Sequence, residues 1–461
     1  MSLKPTIYNV ATAALVVLIA SSQVSGEDWT RFRGDGASGF SAKAAPVKWS
    51  PKENIAWTAD LPGAGVSCPI IVGDKIFVTC YSGYGVERGK GELEDLARHL
   101  VCVDRKAGKI LWERSVDSET PEDRYAGMGV PEHGYASHTP VSDGKNIYCF
   151  FGKSGVYAYD LDGKELWNTS VGTESDDRRW GSASSPILHK DTLIVPAIAE
   201  SGSLVGLDKN TGKELWKQEA DGLRGSWSTP LMVNVGEDRS DLVIGVPYEV
   251  WGLNPATGKL RWYFPVEGRS FYTSVTAKDD IVYGAIGGRD GGCSFAVKAG
   301  GDDDASKTHK VWEGRDQCTY ATPVIHDGIM FFVSSGVANV IDAKTGERIK
   351  RFRLKSTVED PSDSKETGEG KADSEKAETE PPRRARRGGR SLDYSSPVIA
   401  NDKIYYVKRN GEMHVLSADK ECKQLAVNRV TDSAEEFSAS PAICDGQIFF
   451  RSNKKLYCVK E

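Results

Sequence analysis

Apolar residues in this chain fall in short runs of β type, punctuated by Gly-, Asp- and Lys-containing turns. Period-two and fully apolar runs dominate, as in SCPIIVGDKIFV and SHTPVSDGKNIYCF, and no long amphipathic helical pattern recurs between them. The runs repeat. A Ser/Thr-Pro or its equivalent opens a unit at Pro69, Pro140, Pro186, Pro230, Val275, Pro323, Pro397 and Pro441, spaced by 71, 46, 44, 45, 48, 74 and 44 residues. Five of these gaps share one period, and the two long ones hold insertions. The close of a unit also recurs, as DRKAGKILW (104–112), DLDGKELW (160–167), DKNTGKELW (208–216), NPATGKLRW (254–262) and DAKTGERIK (342–350).

Each unit carries four strand-like runs, the last following a turn whose Gly supplies the positive φ of a tight hairpin. A lone four-stranded sheet covers its faces poorly, so such units must stack on their neighbours. The reading is an all-β, eight-bladed β-propeller of four-stranded blades. The eighth unit ends at Glu461 after three runs, and the missing fourth stands in NIAWTADL (54–61) near the other end. An N-terminal strand is therefore expected to close the last blade and remove an exposed edge. Residues 27–461 are read as one propeller domain. The recurring Trp112, Trp167, Trp216, Trp262 and Trp312 are expected to pack blade against blade.

Composition agrees with this picture. The chain has 48 Gly and 11 Trp in 461 residues, which suits many turns and many packed aromatics. A net charge of −6 gives no footing for a nucleic acid partner. Residues 1–26 read as a cleaved export signal: Lys4, an apolar stretch from Val10 to Ala20, then small residues ahead of Glu27. The mature chain is expected to be periplasmic or secreted, with no transmembrane span. Nine scattered cysteines form no C-x-x-C. Buried thiols are the plain reading, with Cys80–Cys102 and Cys444–Cys458 open as cross-strand pairs.

Three insertions interrupt the repeat. Residues 84–99 read as a short helix in the first blade, and 117–134 as a rim loop before the second. Residues 355–390, acidic and Ser/Thr-rich and then Arg-rich, lack large apolar side chains and read as a disordered low-complexity insertion.

The Asp-x-x-Thr-Gly-Lys-x-x-Trp closes, with the opening WTRFRGDGASGF, resemble the PQQ-binding-like β-propellers. That group includes quinoprotein alcohol dehydrogenases and the assembly lipoprotein BamB. The resemblance implies two functions: a non-catalytic binding or assembly scaffold, or a dehydrogenase using PQQ with calcium. The dehydrogenases carry adjacent cysteines beside the quinone and a carboxylate set for calcium, and neither matches any position here. No protease, hydrolase or P-loop motif occurs, GGDDDAS (300–306) reads as a hairpin tip, and RGD (33–35) carries no weight. No catalytic or metal set is assigned. The remaining signal is positional. Ahead of five consecutive starts stand Arg179, Arg224, Arg269, Arg315 and Arg390, followed by Trp180, Trp227, Tyr272, Tyr320 and Tyr394. In a propeller these offsets ring the central funnel, where cations and flat rings suit an anionic small molecule or a protein partner. The competing reading makes the arginines solvated loop residues and the aromatics blade-top packing.

Overall fold

β-Branched and aromatic runs pair as antiparallel sheets wherever a turn or loop brings them back. In the first blade these are Ile70–Val72, Lys75–Ser82, Ala97–Asp104 and Ile110–Asp117, from inner to outer edge. A computed structural model describes residues 27–87, 90–118, 121–124, 133–288, 291–357 and 392–461. It contains eight such sheets, one per sequence unit, arranged as an eight-bladed β-propeller. The export signal 1–26, most of the 355–390 insertion and Arg390 lie outside the described residues. Among the described residues, no helix is long and apolar enough to cross a membrane.

The last blade is built from both ends of the chain. Ala442–Cys444, Gln447–Arg451 and Lys455–Val459 are completed by Ile55–Asp60, paired antiparallel with Thr58 opposite Tyr457. The apolar interior is not one core but a series of layers between neighbouring blades. Phe331, Val333 and Val340 of blade six face Ile399, Ile404 and Tyr406 of blade seven, for instance.

Two sets of contacts bind blade to blade. Near the axis, the residue before each start proline passes its backbone N–H to the next blade's hydroxyl. The series runs Cys68→Thr139 (3.0 Å), Thr139→Ser185 (2.9 Å), Ser185→Thr229 (3.0 Å), Thr229→Ser274 (2.9 Å), Ser274→Thr322 (3.0 Å), Thr322→Ser396 (3.0 Å) and Ser396→Ser440 (2.8 Å). The Ser440 amide closes the circle on the Cys68 sulfur. This belt explains the Ser/Thr of the repeat: proline follows, and the hydroxyl satisfies a buried N–H that the sheet leaves free. Further out, each Trp lies on the turn glycine of the following blade: Trp57 on Gly108, Trp112 on Gly163, Trp167 on Gly212, Trp216 on Gly258 and Trp312 on Gly346. A Cβ on those glycines would stand only 2.5–2.8 Å from the indole, so glycine serves the turn and the contact together. Four of these indoles also donate to carbonyls of the same turns, at Arg105 (2.9 Å), Leu161 (3.2 Å), Lys209 (2.9 Å) and Ala343 (2.8 Å). Trp262 is fully buried in the layer between blades four and five, but gives its N–H to Asp241 of its own blade (2.8 Å).

The N-terminal arm crosses the central channel. Trp29 bridges to Ile71 of blade one, the Ser142 amide of blade two donates to the Thr30 carbonyl, and Phe40–Ser41 pairs in parallel with Val398–Ala400 of blade seven. Between them Arg33 is fully buried, giving five hydrogen bonds to the carbonyls of Ala37, Ser38, Thr322, Pro323 and Pro397. The Arg of the RGD triplet is thus a channel plug.

Several expectations are corrected here. Among its described residues, the 84–99 insertion forms no α-helix. It has a single 3-10 turn at Leu93–Asp95, and residues 97–99 begin a strand. All nine cysteines are free and buried. The sheet register sets Cys102 opposite Phe77 and Cys80 opposite His99, and it sets Cys444 opposite Gln447 and Cys458 opposite Phe449, so neither proposed pair meets. The 300–306 segment adds a short strand, Asp303–Asp304, beside the outer edge of blade four.

Candidate functional site

Connections from each outer strand to the next inner strand gather on one face, and the chain's unusual chemistry lies there. Trp180, Trp227, Tyr272, Tyr320 and Tyr394 come from five successive connections and touch in order around the opening. Ring centroids are 5.6 Å apart for Trp180–Trp227, 5.1 Å for Trp227–Tyr272, 5.7 Å for Tyr272–Tyr320 and 4.6 Å for Tyr320–Tyr394. All five are half-buried, forming a continuous arc over blades three to seven. Offset and tilted pairs of this kind add roughly 0.5–1.5 kcal/mol each beyond area burial.

The arginines are less well gathered. Arg178, not its neighbour Arg179, lies over Trp180 and Trp227 at 5.0 and 6.0 Å, and donates to the Tyr272 hydroxyl (3.2 Å). The reason is local. Asp176 accepts from the amides of Arg178, Trp180 and Gly181, folding a tight turn in which Arg179 has φ 53°. Arg224 is engaged by Glu174 (3.1 Å). Arg179, Arg269 and Arg315 are exposed, and no side-chain hydrogen bond or ion pair among the described residues holds them. The structure therefore brings the five aromatics together, leaves three arginines at the rim, and substitutes Arg178 for the arginine that covers the rings. Arg390 lies outside the described residues.

Beside the arc, blades one to three enclose a cavity of about 30 Å³, lined by Arg98, Glu122, Asp123, His133, His138, Lys153, Ser182 and Glu200 among others. Its ion pairs are buried: Arg98–Glu122 at 2.9 Å and Lys153–Asp123 at 3.4 Å. The His138 ring nitrogen Nε2 is 2.9 Å from Ser182 Oγ, whose hydroxyl donates to Glu200 Oε1 (2.5 Å). Glu200 sits on the four-residue helix Ile198–Ser201 and is 3% exposed. Its Oε2 has no partner among the described residues. Burial pushes its carboxyl up to about 7 and pushes His138 down to about 3. The cavity joins the arc through His133, whose Nε2 faces the Trp180 carbonyl at 2.7 Å, and through Gly181, whose carbonyl accepts from Trp227 Nε1 at 3.0 Å. Sequence reading missed this cavity. The 117–134 loop was expected to shape one face, and its described residues Glu122, Asp123 and His133 do line the cavity.

A second polar group, on blade one, has the spacing of a nucleophilic triad. Ser82 Oγ is 2.7 Å from His99 Nε2, and His99 Nδ1 is 2.7 Å from Glu113 Oε1. The Nδ1 contact is off the line of a hydrogen bond, so Glu113 does not fix the tautomer an activated serine requires.

These features bear directly on a quinone cofactor. The cavity has room for about two waters, not a tricyclic quinone. Its Glu122 and Asp123 are committed to Arg98 and Lys153, and among the described residues no three acidic, His or Cys side chains converge as metal ligands. The cavity does not fit PQQ with calcium.

Comparison with known proteins agrees with the fold. The family described as outer membrane protein assembly factor BamB matches residues 50–234. Together with the repeat architecture, this match over part of the chain supports a PQQ-like repeat β-propeller similar to BamB. BamB of Burkholderia pseudomallei is 25% identical over 268 residues, covering 56% of this chain and 58% of that protein. A polyvinylalcohol dehydrogenase of a Pseudomonas species is 25% identical over 185 residues, covering 36% of this chain and 25% of that protein. The chain thus matches less than two thirds of the length of these curated relatives. The crystal structure of BamB from Moraxella catarrhalis superposes with a TM-score of 0.55 over 88% of this chain and 97% of that one. At 13% identity, this is a likeness of fold.

Proposed function

We propose that the chain is a non-catalytic, extracytoplasmic binding or assembly scaffold, periplasmic or secreted, that takes a protein or anionic ligand on its loop face. The observation that carries this reading is the arc of five half-buried rings crossed by Arg178. Flat aromatic surface with a cation laid on it suits recognition more than chemistry, and aromatic and arginine side chains dominate binding hot spots. Arg179, Arg269 and Arg315 add positive charge at the rim of a chain whose net charge is −6. The similarity to BamB proteins supports an assembly partner.

The test is capture from an envelope extract by the immobilised chain and by a variant carrying Trp180→Ala, Trp227→Ala and Arg178→Ala. The variant is expected to lose the proteins retained by the wild type, with its melting temperature nearly unchanged. Identical capture by both proteins would overturn the assignment of the loop face. The polyvinylalcohol dehydrogenase similarity favours a second reading, a PQQ-dependent oxidoreductase. Titration with PQQ and calcium followed by dye reduction with alcohols tests it, and saturable binding with turnover would displace the scaffold reading.

A further inference from the structure

The seam where the ring closes carries an uneven set of charges. Asp445 stands in the turn between Ala442–Cys444 and Gln447–Arg451 of blade eight. Arg105 of blade one reaches it at 3.1 Å, and the Lys43 ammonium reaches it from the N-terminal arm. Arg105 is itself fixed by the Gly73 and Cys444 carbonyls (3.2 Å each) and by Gln447 (3.0 Å). The arm brings two more carboxylates to the same place: Glu27 accepts from Ser41 Oγ (2.8 Å), and Asp28 accepts from the Gly73 amide (2.8 Å). Three carboxylates thus gather with two cations. Asp74 alongside is matched by Lys106 (3.1 Å), and the Cys444 thiol adds no charge because burial pushes it up to about 12.

Glu27 is held at this seam by both of its backbone groups. Its amide donates to Asp445 Oδ1 (3.2 Å), and its carbonyl accepts from the Cys444 thiol. Immediately ahead of it in sequence stand Val24, Ser25 and Gly26, small residues that follow the Val10–Ala20 apolar stretch. We propose that the export leader is cut between Gly26 and Glu27, and that the α-ammonium so created seats on Asp445 and clasps the ring seam. Water adds across the peptide bond. Its oxygen goes to the Gly26 carbonyl carbon, which departs as the leader's carboxylate, and its protons leave the Glu27 nitrogen as an ammonium; a leader endopeptidase of the host is the catalyst. The nitrogen that meets Asp445 is the same before and after, so an amide contact becomes a charge-assisted one without movement of the chain. The new charge sets three cations against three carboxylates. The cut rests on the extracytoplasmic part of the reading above and is independent of the loop face.

The experiment starts from the full chain, expressed with its leader in an exporting host. Mass spectrometry of the purified product is expected to find Glu27 as the first residue. Its α-amine is then titrated by its rate of acetylation across a pH series, beside Asp445→Asn and a form with one added Gly ahead of Glu27. A carboxylate in contact raises an amine by about one unit or more, so below about pH 8 the wild-type terminus should react about tenfold more slowly than a free one. The seated ammonium contributes stability in full below about pH 8 and loses it as pH rises through its raised value. Asp445→Asn and the added-Gly form should react at the free rate, with melting temperatures that show both are folded. The added-Gly form decides the matter if Asp445→Asn does not fold. A product that begins at another residue overturns the clasp. So does a Glu27 amine that reacts at the free rate, although that outcome leaves export standing. Failed capture from the envelope extract with a slowed α-amine removes the loop-face reading and leaves the clasp in place.

Discussion

The two blade-to-blade linkages age differently around the ring. The inner belt of amide-to-hydroxyl bonds passes through all eight blades, with one thiol at Cys68 as its only chemical departure. The outer Trp-on-Gly contact is kept at five junctions and abandoned at three. Between blades four and five, Trp262 turns to Asp241 and the Asp303–Asp304 strand lies alongside. Between six and seven, Lys350 stands where the Trp would be and donates to the Glu421 carbonyl. Between seven and eight, Ala426 takes the position, and the arm brings Trp49, whose amide donates to Asn428 (3.1 Å). The difference is physical. A hydroxyl near the axis satisfies a buried backbone group whose loss costs a full desolvation penalty, whereas a rim Trp supplies area that other side chains can replace.

That contrast can be broken at several levels. Deleting residues 27–60 removes Ile55–Asp60, the Trp57 contact and the Arg33 plug together. The result expected is aggregation or loss of any cooperative melt, read by size exclusion and calorimetry. Trp167→Ala at an intact outer junction should cost about 3 kcal/mol in denaturant unfolding, near the low end for Trp truncation because the ring is half-buried. Lys350→Met, at an abandoned junction, should stay within about 1 kcal/mol. Thr229→Val keeps the shape of the belt but strands the Ser185 amide, and should cost about 1–3 kcal/mol. Cys68→Ser restores the belt's chemistry and should shift the melting midpoint least of all.

A pH series separates the linkages from the cavity. Glu200 has a folded pKa raised to about 7 from 4.5, so its contribution is whole below 4.5 and is lost as pH rises through 7. His138, lowered to about 3 from 6.5, contributes fully above 6.5 and loses that as pH falls toward 3. Glu200→Gln should therefore gain melting temperature relative to the wild type between pH 5 and 8. A constant difference across that range would mean that Glu200 does not titrate there.

Much of this architecture is readable from residues. The Ser/Thr-Pro starts are the belt, the Thr-Gly-Lys turns and Trp are the outer contact, and NIAWTADL closes the ring as its placement implies. The aromatic arc was legible for the same reason: equal offsets in a repeat become neighbours around an axis. The arginines were not, because an Asp176-capped turn exchanges Arg178 for Arg179 and Glu174 engages Arg224. The cavity was hidden by its scatter, since Arg98, Asp123 and Glu200 share no repeat offset, and His138 stands at one where the other blades carry no histidine. The one trace was AIAES (197–201), which forms an α-helical turn where blades one and two have only 3-10 turns between the same strands.

The pairing of Ile55–Asp60 with Lys455–Val459 also has a consequence in time. A chain made from its N-terminus emits its first propeller strand hundreds of residues before the partner exists. Seven blades have their four main strands in sequence and can assemble in turn, while Ile55–Asp60 waits unpaired. The wait ends only when Lys455–Val459 has emerged. Closure of the ring by this strand is therefore expected to come last, because it carries the largest loop-closure entropy cost, and a chain stalled a few residues short of Lys455 is expected to retain seven blades and an open seam.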